Sequence, residues 1–159
     1  METTVYHEAG HVVTAIVLGA RVTQATIEPE WDDGPERYGE IRVLWPHGKW
    51  SERSFQEKLV LTALAGPVAE VIYTGEPLHP GFVAEWADDW QQAFEAAAML
   101  VPDERRRIAW LEERVRYLHN WLDKDLWPAL AALADELSAH ETLDEEQILV
   151  ALEPWLPSV

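Results

Sequence analysis

At 159 residues the chain is the size of one domain, long enough to bury about two-thirds of the surface its unfolded form exposes. A hydrophobic share of 48% supplies a core and excludes wholesale disorder, while a net charge of −17 argues against nucleic acid and anionic membrane surfaces as partners. There is no cysteine, so any metal must be held by His, Asp or Glu, and no apolar run approaches the roughly 18 residues that span a bilayer. The first charge met is Glu2 rather than a basic segment, so no secretory signal is read and a cytoplasmic setting is expected.

The periodicity predicts a helix over residues 4–18, with His7, His11, Thr14, Ala15 and Leu18 on one face and Gly19 as its C-terminal cap. Residues 22–29 and 39–45 alternate apolar and polar positions, and Asp33-Gly34-Pro35 lies between them, so a two-stranded antiparallel unit is expected. A second helix is predicted over residues 54–73, buried along Leu59, Ala63, Gly66 and Val71, with a kink or break at Gly66-Pro67. Residues 75–81, with Pro77 and Pro80, read as a loop. A third helix is expected over residues 87–100, stopped by Pro102. The remainder reads as helical: residues 105–122, a helix capped by Asp125 with Pro128 in its first turn, and a last helix opened by a capping box at Thr142 to Glu145. The expected fold class is α+β, mainly α-helical. It places the first helix beside a small antiparallel β unit and a C-terminal helical bundle. The chain is expected to be one domain, with residues 1–102 as one half and 103–159 as the helical part.

His7-Glu8-Ala9-Gly10-His11 matches the pattern H-E-x-x-H. Residues four apart share a helix face, so both imidazoles reach one ion, and Glu8 can take a proton from a water activated there. Zn²⁺ is the expected cofactor, which makes the first helix a zincin-like zinc helix and residues 1–102 the zinc-site half. A hydrolytic zinc site uses three protein ligands and keeps one position open. The third ligand comes from His47, Glu70, His79, Glu85, Asp88 or Asp89. Asp89 shares a stripe with Gln92, Ala93, Ala96, Ala97 and Leu100, whereas Asp88 continues into Gln91 and Glu95, which look solvent-facing. An inward carboxylate needs a cationic partner, although Asp89 as a simple helix cap explains the same position.

Taken in order, these segments resemble the FtsH-type zinc metalloproteases. VYHEAGHVVTAIVLGA is similar to that family's zinc helix and VTQATIEP to the first of its following strands. LAGPVAEVIYTGE resembles its Gly-Gly-Arg-Ala-Ala-Glu helix, ADDWQQAFEAAAMLV its Asn-Asp-Leu segment, and LADELSAHETLDEEQI its C-terminal signature. The resemblance implies His7, His11 and Asp89 as ligands, Glu8 as catalytic base and Glu70 as a structural residue or a support behind the ligands. The family's ATPase module and transmembrane helices are absent, and Ala65-Gly66-Pro67 replaces Gly-Gly-Arg, so ATP-driven degradation does not follow. The expected activity is ATP-independent hydrolysis of polypeptide substrate; the alternative is a non-catalytic, zinc-stabilised interaction module. Ile41, Arg42 and Val43 are expected to hold an extended substrate by main-chain pairing. Of nine tryptophans, Trp110, Trp121 and Trp127 read as packing residues, while Trp31, Trp45, Trp50, Trp86 and Trp90 are candidates to line a cleft.

Overall fold

Helix α1 (Glu2–Val17) is buried on nearly every side from Val5 to Ile16. The single inward face read from the sequence is therefore too narrow. Helices α2 (Glu52–Thr74) and α5 (Trp127–His140) and the sheet all pack against α1, so even its polar residues lie inside. The computed structural model describes residues 2–28, 40–76 and 86–156. The Asp33-Gly34-Pro35 turn, Trp31, His79, Glu85, Pro77 and Pro80 lie outside these residues.

The chain turns at Gly19, whose φ of 108° suits a residue without a Cβ, and enters β1 (Arg21–Thr26). Strand β2 (Glu40–Leu44) pairs antiparallel with β1, Ala25 opposite Ile41, with a register shift between Val22 and Gln24. A third strand, β3 (Thr142–Asp144), pairs with the other edge of β1 and was not foreseen. The sheet order is β2-β1-β3, so β2 keeps one edge unpaired among the described residues. The fold class is α+β and mainly helical, as expected.

Helix α2 (Glu52–Thr74) opens on a Ser51 cap and closes on Gly75 in the left-handed region. It runs on through Pro67 without the expected break, because burial of residues 60–69 holds the turn that the missing N–H weakens. α1 and α2 approach closely at Gly10, where a Cβ would meet the Ala65 carbonyl and the Ala69 Cβ.

Helix α3 (Ala87–Ala97) and α4 (Glu104–Trp121) follow, α4 capped by Asp103. Asp125 is not the cap of the next helix. The chain winds through a π-helical turn, Leu122–Leu126, directly into α5 (Trp127–His140), and Leu122 and Leu126 stay buried while Asp125 faces solvent. The last capping box also moves by two residues: Asp144 caps α6 (Glu145–Leu152) with Gln147 as its partner. Thr142 is drawn into β3 instead, its hydroxyl 2.7 Å from that of Thr26. Leu111, Leu118, Leu130, Leu133 and Ile148 join the α1 core in one continuous cluster. Trp110, Trp121 and Trp127 pack against it, as expected of them.

Candidate metal centre

His7 and His11 sit one turn apart on α1, and the helical rise brings their Nε2 atoms to 3.1 Å. Asp89 projects from the first turn of α3 to meet both, Oδ2 at 2.9 Å from His7 Nε2 and Oδ1 at 3.4 Å from His11 Nε2. It makes no helix cap; the cap position is Trp86. Among the described residues these three form a group able to hold a metal ion. His47 is exposed in the turn after β2, Asp88 is exposed on α3, and Glu70 faces the opposite nitrogen of His7.

The far side of each imidazole explains its orientation. His11 Nδ1 lies 2.7 Å from the Thr62 carbonyl, which can only accept, so this nitrogen donates and a neutral ring keeps its lone pair on Nε2. His7 Nδ1 lies 2.9 Å from Glu70 Oε1, a close contact off the line of the N–H bond, with no other partner. Glu70 is fixed in turn by Trp86, whose indole N–H donates to Oε2 at 2.9 Å. The Thr62 contact selects the His11 tautomer, and a carboxylate beside a ligating histidine raises its basicity.

The result is two Nε2 lone pairs and a carboxylate converging within a few ångströms. With neutral imidazoles that donor set is mutually repulsive and needs a cation. Protons can supply it: burial would lower the His7 pKa, but Asp89 and Glu70 raise it to about 10. His11 also rises, burial opposing and Asp89 overcoming it. Burial would raise the Asp89 carboxyl, yet His11 and His7 hold it well below the usual carboxylate range. A zinc ion fits the same place chemically, since two imidazoles and one carboxylate make a three-ligand set with a position left over.

Glu8 is 7% exposed and lines the same cleft. Burial raises its pKa, while the two histidines pull the other way. No hydrogen bond ties its carboxylate to another described residue.

Two supports escaped the sequence reading. The Thr62 contact is made by a main-chain carbonyl, which no side-chain pattern reports. Gly66 lies against the His11 imidazole, where a Cβ would overlap the ring, so α2 can pass only because this residue has no side chain. Trp45 and Trp86 line the cleft; Trp50 instead packs against Gly19, with Lys58 4.6 Å above its ring, and Trp90 does not line it. No protein-family model matches the chain, and no curated protein matches it either.

Proposed function

We propose that this chain is a zinc-dependent metallopeptidase domain of the FtsH-like kind, hydrolysing peptide bonds without ATP. The observation that carries the reading is the fixed orientation of His7 and His11. Their Nδ1 atoms face Thr62 and Glu70, so both Nε2 atoms meet Asp89 at one point. Bound there, zinc would act as a Lewis acid, bringing a water's pKa towards neutrality and polarising a carbonyl. Glu8 accepts the proton of the attacking water and returns it to the departing amine, a task suited to a carboxylate whose pKa burial has raised. A purely structural ion would have no use for such a base.

A cleft of about 1280 Å³ runs past the three ligands, with β2 and α3 contributing to its walls. Ile41 and Val43 line it, and the unpaired edge of β2 offers main-chain groups to an extended substrate. In this reading Ile41, Arg42 and Val43 hold the polypeptide by main-chain pairing beside Glu8. Among the described residues no helix is long and apolar enough to cross a membrane. A cytoplasmic setting and a polypeptide rather than nucleic-acid partner belong to the same proposal.

The test combines metal analysis with hydrolysis of unfolded casein. Wild type is expected to carry about one zinc per chain and to cleave; Glu8→Gln keeps the zinc and loses roughly 10²-fold or more of the rate. His7→Ala with His11→Ala empties the site. Zinc-loaded wild type that leaves casein intact would point to the interaction module, and full zinc in the double alanine variant would remove the metal centre altogether.

A further inference from the structure

The described lining of the cleft contains six carboxylates and no lysine or arginine. Glu8, Glu70 and Asp89 belong to the metal centre. Glu40 on β2, with Asp88 and Glu95 on α3, do not, and no described cation pairs with any of the three. Glu95 is held from its own helix, Gln91 Nε2 donating to it at 2.9 Å.

The rest of the lining mixes uncharged polar residues, Gln56 and Gln92 among them, with an apolar share. Val43, Leu59, Ala63 and Ala96 belong to that share, and Thr62 lies among them. Thr62 is 9% exposed and its hydroxyl has no hydrogen-bond partner among the described residues. A buried hydroxyl left unpaired is costly, and Thr62 stands in the lining of the cleft. A wholly apolar side chain would strip water from the carboxylates. An acidic one would meet like charge. Lysine and arginine match both features, with an aliphatic stem for the apolar surface and a cationic head for the carboxylates.

We propose that the cleft selects polypeptide segments carrying lysine or arginine next to the bond to be cleaved. This rests on the peptidase reading for the word cleaved, but not for the binding preference, which follows from the lining alone. Glu95 and Asp88 set the preference, and the charge of −17 steers basic segments towards the protein.

The experiment uses three peptides identical except for one central residue: lysine, norleucine or glutamate. Binding to the zinc-loaded Glu8→Gln protein is read from intrinsic tryptophan fluorescence, and cleavage is read separately with wild type. The lysine peptide is expected to bind about tenfold tighter than norleucine at low salt, the sum of a few weakly screened charge contacts. The gap should close near about 1 M salt, where the screening length is about 3 Å. Glu95→Gln combined with Asp88→Asn should reduce the preference several-fold at unchanged zinc content. Equal binding of lysine and norleucine peptides overturns the proposal. Cleavage without charge preference does the same and leaves the peptidase reading standing. Charge-selective binding with no cleavage retires the peptidase reading and keeps the cleft as a binder of basic peptides.

Discussion

A methyl group at position 66 would stand where the His11 imidazole now lies. Gly66→Ala is therefore expected to push His11 away from His7 and Asp89, lowering zinc affinity at least about tenfold, within the range of outer-contact losses. Isothermal titration with zinc would show it, and unchanged affinity would mean that the ring moves freely. The two neighbouring aspartates make a sharper comparison. Asp89→Asn removes the carboxylate charge that faces both Nε2 atoms, whereas Asp88→Asn alters only an exposed carboxylate on the cleft wall. Zinc affinity should fall by roughly two orders of magnitude for the first and by less than about threefold for the second. Similar losses in both variants would displace Asp89 from the ligand set.

Strand β2 bears on substrate. Proline at whichever of Ile41, Arg42 and Val43 turns its N–H to the open edge should cut casein turnover several-fold while zinc content stays at the wild-type value. Retained turnover in every such variant would sink the pairing. The helices were legible because apolar residues recur at helical spacing in the sequence, even though burial in α1 and α2 extends beyond one face: α1, α2, α3 and α4 begin and end within a few residues of the positions read from sequence. The choice between Asp88 and Asp89 was legible for the same reason. Three features were not. β3 is three residues long, too short for alternation to register, and only its pairing with β1 makes it a strand. The sequence offers two overlapping capping boxes, Thr142 with Glu145 and Asp144 with Gln147; the hydroxyl contact between Thr142 and Thr26 decides for the second. The π-helical turn keeps Leu122 and Leu126 buried across a change of helix, a packing demand invisible to local propensity.

Across the whole molecule, the cluster of His7, His11 and Asp89 links stability to pH. In zinc-stripped protein the His7 pKa, about 10 against an unfolded value near 6.5, is raised by folding. The stability it contributes is fully present below about pH 6.5 and is lost as pH climbs through about 10. Zinc binding runs the opposite way, since ligating histidines must shed their protons and acid weakens the site. Thermal melts from pH 6.5 to 9.5 should therefore show the stripped protein losing Tm and the margin conferred by zinc growing; parallel curves would break the linkage. The placement of β3 has a different consequence. It belongs by sequence to the C-terminal half, yet it covers one edge of the β1 strand that follows α1. Residues 2–102 made alone would show that edge bare, a template for sticking to other chains. Supplied together, the two pieces should find each other, because the second carries both the missing strand and the α5 face that seats α1. A chain cut in this way should serve as a split reporter, its recovered fold read once two fused partners bring the halves side by side.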